Sequence, residues 1–287
     1  MGLAISARSY PLVLLVAIGL LAVRSGKMGA WSRLAGTALL TWFALSLPWL
    51  VTNADGLLSV YRSWWRSGAS YGSLWIVSGL LGYPVGGRVT ALVILGWVVA
   101  LVVGAIFALS TARRPTVAEV SLVMLVIVVV TSKAIPVQAG LWLLPLIALV
   151  GLAWRDHLIW AGAEALYFVS VWLYIGGLSR PDRGLPAGFY SLLVLVRVAA
   201  WLYLLVQVWR VARARVSANS LDDAHEHPVG QASVGQESLA QEAAGHEPVS
   251  LAQEAADQEL VDLERDEVDP LAGPMAGAPD RVVVRIS

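Results

Sequence analysis

Residues 117–146 read VAEVSLVMLVIVVVTSKAIPVQAGLWLLPL, two apolar runs joined by a polar knot that holds Lys133, Pro136 and Gln138. The first run has neither the period of two of a half-buried strand nor a polar face. A segment that is apolar all round belongs inside a large protein or a membrane. Similar runs recur at 10–23, 34–52, 89–110, 117–131, 139–154, 158–178 and 188–209. Their lengths approach the ~20 residues that a helix needs to span a bilayer. With 57% hydrophobic and only 14% charged residues, the chain reads as an all-α, polytopic transmembrane helix bundle of about seven spans. Backbone groups in lipid must be satisfied within the segment, and ragged, non-alternating runs of this length favour helices over a barrel.

The zero net charge hides a division. Residues 1–215 carry 17 Lys and Arg against five acids, while 216–287 carry three against 15. The second part also repeats itself, SLAQEAAGHEPV at 238–249 being followed by SLAQEAADQELV at 250–261. Such a composition buries too little apolar surface to offset the entropy of ordering. Two domains are therefore expected: a transmembrane helical domain over 1–215 and a disordered, low-complexity acidic tail over 216–287. The tail is either simply solvated or docks on basic loops or on a partner.

Orientation follows from the basic residues. Arg24, Lys27, Arg33, Arg113, Arg114, Arg155, Arg210, Arg213 and Arg215 fall on one side of the seven-span layout, against Arg62, Arg66, Arg88, Lys133, Arg180 and Arg183 on the other, and the positive-inside rule makes the richer side cytoplasmic. The protein is then a multi-pass cell-membrane protein with a cytoplasmic C-terminal tail and the knot facing outward. This parity needs the short apolar stretch 73–83 to lie in the interface or re-enter. The first run lacks a small-residue cleavage pattern and reads as a retained span, not a signal peptide.

Nine of the thirteen tryptophans (Trp31, Trp49, Trp64, Trp65, Trp75, Trp142, Trp154, Trp160 and Trp209) gather near the ends of the runs, where an indole buries its ring and keeps its N–H wet. Trp64 and Trp65, flanked by Arg62 and Arg66, form an outward aromatic and basic cluster that reads as interface anchors or as a site for a lipid headgroup or a sugar. Trp142, just after the knot, joins this set of lipid-contact candidates. Glu119, three residues after Thr116, has the spacing of a capping box at a helix start. Glu164 lies about seven residues into span six and Arg197 about nine into span seven, deep enough to need a partner. Antiparallel neighbours would bring them together, as a structural pair or around a buried polar ligand. Soluble-enzyme motifs are missing: there is no Walker loop, no HExxH and no cysteine. No cofactor, metal, nucleotide or nucleic-acid site is indicated, and no residue is assigned a catalytic role.

The segment from Lys133 to Leu146 resembles the outward loop and following helix of polyprenyl-phosphate-dependent membrane glycosyltransferases of the family 87 type, in the GT-C superfamily. Lys133, Pro136, Gln138 and the run Leu141-Trp142-Leu143-Leu144-Pro145-Leu146 match the recurrent form in type. Ser132, Ile135, Val137 and Ala139 depart from it. Weaker agreement covers about residues 34–210, through Leu45-Ser-Leu-Pro48, Asn53-Ala-Asp55-Gly56, Tyr61-Arg62, Gly72-Ser-Leu-Trp75, Trp160 and Glu164. The resemblance implies outward transfer of a mannosyl- or arabinosyl-type sugar from a polyprenyl-phosphate donor in cell-envelope synthesis, with Lys133 and Gln138 on the donor phosphate. On residues alone Lys133 reads equally well as an anchor at a helix end. The family's general base comes from an earlier outward loop that has no counterpart before the second run. The chain thus resembles a C-terminal half, truncated or degenerate, whose catalytic acid would come from a missing N-terminal half or a protein partner. The alternative is a non-catalytic scaffold, lipid-binding subunit or transporter fragment.

Overall fold

The structure, a computed structural model, describes residues 1–226 and 271–284 of the 287. The described residues are helical with no strand. Among the described residues, nine α-helices follow in chain order: α1 (Gly2–Ala7), α2 (Pro11–Ser25), α3 (Met28–Arg66), α4 (Leu74–Leu80), α5 (Val89–Ser110), α6 (Val117–Val130), α7 (Ala139–Val150), α8 (Trp154–Ser179) and α9 (Ala187–Glu226).

The centre of the fold is the first run of the opening stretch. In α6 every residue except Ile127 is buried, and α2, α5, α7 and α9 pack around it. This explains its all-apolar sequence, since no face of the helix meets solvent. Its N-terminus carries the expected capping box: the Glu119 N–H donates to Thr116 Oγ1 at 3.2 Å and the Thr116 N–H donates to Glu119 Oε2 at 2.7 Å. Small residues let α5 come close. A Cβ at Gly104 would stand 2.5 Å from Met124 Cγ, and one at Gly96 would overlap Thr131. In lipid, where apolar burial gives little driving force, such close backbone approach supplies the van der Waals contact that holds helices together.

Helices occupy all seven apolar runs, but their lengths differ. Four are long and apolar enough to cross a membrane: α3, α5 with the turn before it, α8, and α9 as far as Arg213. α2, α6 and α7, with 15, 14 and 12 residues, measure about 18–23 Å at 1.5 Å per residue, short of the ~30 Å hydrocarbon core. The fifth run ends early because Gly151 takes a left-handed conformation, φ 68°, and closes α7. Trp154, expected at the end of span five, instead opens α8. α3 starts six residues before the second apolar run, and a kink falls just after that run: Asn53 leaves helical geometry (φ −155°, ψ 67°), and its Oδ1 accepts the Gly56 N–H at 2.8 Å, so that α3 restarts beyond it.

The outer faces of the long helices are apolar and bare. Leu39, Leu40, Phe43 and Trp49 on α3, Leu95, Val98 and Val102 on α5, Phe168 and Trp172 on α8 and Leu192 and Leu202 on α9 are all exposed. A soluble monomer does not leave so continuous an apolar surface bare, whereas lipid contact requires one. We therefore read this domain as membrane-embedded.

The bundle has two unlike ends. At one, Arg24 in the last turn of α2 reaches the carbonyls of Ala112 and Arg113 after α5, and Tyr203 of α9 donates to Asp156 of α8 at 2.6 Å. This basic end gathers loops that the charge count assigned to one side. At the other end lie the knot, the end of α3 and the start of α9. α9 runs past the expected domain boundary at 215, and residues 271–284 pack against the basic end. The repeat at 238–261 and the disorder expected across 227–270 lie outside the described residues.

Candidate functional site

The knot end is built from two loops that hydrogen-bond to each other. The Ser70 N–H donates to the Lys133 carbonyl at 2.7 Å, and the Ile135 N–H to the Tyr71 carbonyl at 3.2 Å. Ser73 Oγ and Trp75 Nε1 donate to the carbonyls of Ser132 and Thr131 at 2.8 and 2.9 Å. Gly72 permits the approach: it adopts φ 76°, its N–H donates to the Tyr190 hydroxyl at 3.0 Å, and a Cβ there would strike Ile135 O and Tyr167 OH.

Lys133 is buried at the centre of this contact. Its ammonium donates to three carbonyls, Trp64 at 2.7 Å, Trp65 at 3.1 Å and Ser67 at 2.9 Å, and sits 4.5 Å from the Trp64 ring. The last carbonyls of a helix have no partner within it and carry partial negative charge. Lys133 therefore closes the end of α3, and burial lowers its pKa. The structure thus brings Lys133 together with Trp64 and Trp65, which the sequence kept apart as a donor site and a headgroup cluster. Arg62 and Arg66 remain exposed, and Arg62 makes a 3.5 Å solvent-facing contact with Asp55, a type of pair worth little. Trp142 stacks on Tyr10 at 5.0 Å, joining α7 to α2.

Glu164 and Arg197 form a two-pronged pair. Arg197 Nε donates to Glu164 Oε1 and Nη2 to Oε2, both at 2.9 Å, and Trp201 Nε1 donates to Oε1 at 2.5 Å. The guanidinium also lies 4.0 Å from the Tyr167 ring and 4.9 Å from that of Trp201. Its remaining donors reach the carbonyls of Ile135 at 3.4 Å and Pro136 at 3.3 Å. The knot thus dips to meet Arg197, which bridges the depth difference between the two charges. Sequence reading missed Tyr167, Tyr190 and Trp201. Helical spacing carried the signal for two of them, since Tyr167 follows Glu164 by three and Trp201 follows Arg197 by four, each on its partner's face.

Beside this pair a groove of about 360 Å³ opens between α7 and α8, lined by Val137, Gln138, Gly140, Leu141, Trp160, Glu164, Ala165 and Phe168. Its volume is in the range of small-molecule sites. Gln138 and Glu164 are its polar side chains apart from the Trp160 indole. Gln138 is exposed and open to a ligand, and Leu141 and Phe168 carry the walls out to the lipid-facing surface. The helices approach closely at the groove, for a Cβ on Gly140 would lie 2.9 Å from Glu164 Oε2. No protein-family model, curated protein or solved structure matches this chain.

Proposed function

We propose that the chain is a lipid-binding membrane module whose helical bundle is embedded in the cell membrane, basic end to the cytoplasm. The groove between α7 and α8 takes the isoprenoid or acyl chain of a phosphorylated lipid. The observation that carries this reading is the groove itself, apolar along its walls, open toward lipid and polar at Gln138 and Glu164. In this reading the Gln138 carboxamide donates to a headgroup oxygen. Glu164, already neutralised by Arg197, adds no net charge against an anionic ligand. Lys133 stays on the end of α3 and holds the knot in register over the groove.

The test is binding of a short-chain polyprenyl phosphate to the protein in nanodiscs. Leu141→Trp, which crowds the groove from its lipid side, and Gln138→Ala should each weaken binding about tenfold, the effect of removing roughly 1.4 kcal/mol. Binding unchanged by both would overturn the assignment.

The resemblance of Lys133–Leu146 favours a second reading, in which this module is the donor half of a polyprenyl-phosphate sugar transferase. Its catalytic acid would then come from a protein partner. Transfer of labelled sugar in membranes containing both halves, lost on Gln138→Ala, supports it. Lipid binding without transfer leaves the non-catalytic module.

A further inference from the structure

At the basic end, residues 271–284 return to the bundle and lie across the ends of α2 and α5. The N–H groups of Arg281 and Val282 donate to the Arg24 carbonyl at 2.7 and 3.2 Å, and that of Val284 to the Leu109 carbonyl at 2.9 Å. Met275 is buried against the helices. One side chain ties the segment down. Asp280 accepts from Arg24 Nε at 2.8 Å and Nη2 at 2.6 Å through one oxygen, and from Arg114 Nε at 2.7 Å through the other. Arg24 is fully buried, and it also donates to the carbonyls of Ala108, Ala112 and Arg113 at 2.9, 3.2 and 3.5 Å and to Thr111 Oγ1 at 3.3 Å. Arg114 also donates to the carbonyls of Met275 and Ala278.

We propose that Arg24 and Arg114 form an anion-binding site which the chain closes with its own Asp280. A phosphate oxygen of an anionic lipid headgroup competes for this site and releases residues 271–284. Two guanidinium groups converging on both oxygens of one carboxylate present the geometry that also grips a phosphate. The neighbouring cation is not available for this role, because Arg113 is committed to Glu119 at 3.0 Å. The location favours the exchange, since the site sits among the basic loops of one end, where anionic lipid accumulates against Lys and Arg. Asp280 is the only acid in 271–284 and is followed by Arg281. Without its carboxylate contact the segment adds positive charge to a basic surface and is held by main-chain bonds and Met275.

The chain has no cysteine, so a spin-label pair can be placed at Met28→Cys and Val283→Cys, both exposed and outside the clamp. In phosphatidylcholine nanodiscs, pulsed dipolar spectroscopy on the full chain should give one short, narrow distance. Asp280→Asn and Arg114→Gln should each move most of the population to long, broad distances while leaving the helical content intact. Phosphatidic acid in the nanodisc should cut the short population several-fold at constant ionic strength. A parallel titration with inorganic phosphate separates the sources: release by lipid alone assigns a headgroup, and release by free phosphate alone overturns the lipid assignment while keeping the anion site. If both variants stay docked, the clamp does not hold the segment and the proposal fails. If the variants release but neither anion does, Asp280 is a fixed strut and exchange is overturned. A short distance between singly labelled chains would show docking in trans and refute closure by the chain's own segment.

Discussion

Replacing Arg197 by Met should be the most damaging single change at the knot end, and its companion double variant should recover much of the loss. Arg197 is 1% exposed and holds both oxygens of Glu164 as well as two carbonyls of the knot. Removing it strands a carboxylate whose remaining hydrogen-bond partner among the described residues is the Trp201 indole. Breaking one side of a buried ion pair costs about 3–5 kcal/mol, because the surviving charge keeps its desolvation penalty. Ordinary interhelical hydrogen bonds in membrane bundles average only ~0.6 kcal/mol, so the charge decides the size of the effect. Replacing both partners, Glu164→Leu with Arg197→Met, removes that penalty and leaves only the lost bonds to Ile135, Pro136 and Trp201. The double variant should therefore be at least ~2 kcal/mol more stable than Arg197→Met alone, a coupling well above the ~0.5 kcal/mol scatter of independent sites. Unfolding in mixed micelles, followed by tryptophan fluorescence, measures all four members of the cycle. Equal losses in the single and double variants would show that the knot carbonyls, not the ion pair, carry the stability, and the reasoning would be refuted.

Three further outcomes follow from other contacts. Lys133→Met leaves three carbonyls at the end of α3 without their donor, at about 1–3 kcal/mol for a buried group left unsatisfied; hydrogen exchange should rise at Ser70 and Ile135, whose N–H groups bond across the two loops. Gly96→Leu puts a side chain into Thr131 at the α5–α6 crossing, so the yield of monodisperse protein on size exclusion should collapse, whereas Gly36→Leu, which faces open space, should be tolerated. Burial alone would raise the Asp280 carboxyl, but hydrogen bonds and charge from Arg24 and Arg114 outweigh it, and its pKa lies below the ordinary 3.8. A carboxylate lowered in the docked state stabilises docking above its free pKa and loses that contribution as pH falls through the docked value. With Arg24, Arg114 and Arg281 staying charged, the short spin-label distance should persist from pH 7 to about pH 4 and disappear only below 3.8.

The helices were legible wherever one residue type could decide the matter locally. Runs of Val, Leu and Ile marked the seven helical segments, Thr116 with Glu119 marked the start of α6, and Glu164 with Arg197 announced a partnership because neither charge tolerates lipid alone. The end of α7 was misplaced because Gly151, the residue that stops it, stands inside an otherwise apolar stretch. Lys133 was ambiguous for a different reason. The carbonyls it closes lie 66 to 69 residues earlier, and backbone acceptors leave no mark in a side-chain pattern. Arg24 and Asp280, 256 residues apart, gave only a general expectation that an acidic tail finds basic loops. The charge division of the chain pointed to that meeting, while the choice of Asp280 depended on how residues 271–284 cross α2 and α5. Tyr167 and Trp201 are aromatic residues in apolar helices, where packing is the ordinary explanation; their contacts with Arg197 and the Trp201 bond to Glu164 give them a role.

The central claim is that lipid enters the groove between α7 and α8, and photoaffinity labelling tests it most directly. A polyprenyl phosphate bearing a diazirine near its headgroup would be irradiated with the protein in nanodiscs, and the adducts mapped by mass spectrometry. Adducts concentrated on Val137–Leu141 and Trp160–Phe168, and competed away by unlabelled polyprenyl phosphate, are the predicted result. Adducts spread over the exposed faces of α3, α5 and α9 without competition would show that lipid only surrounds the bundle, and would contradict the account.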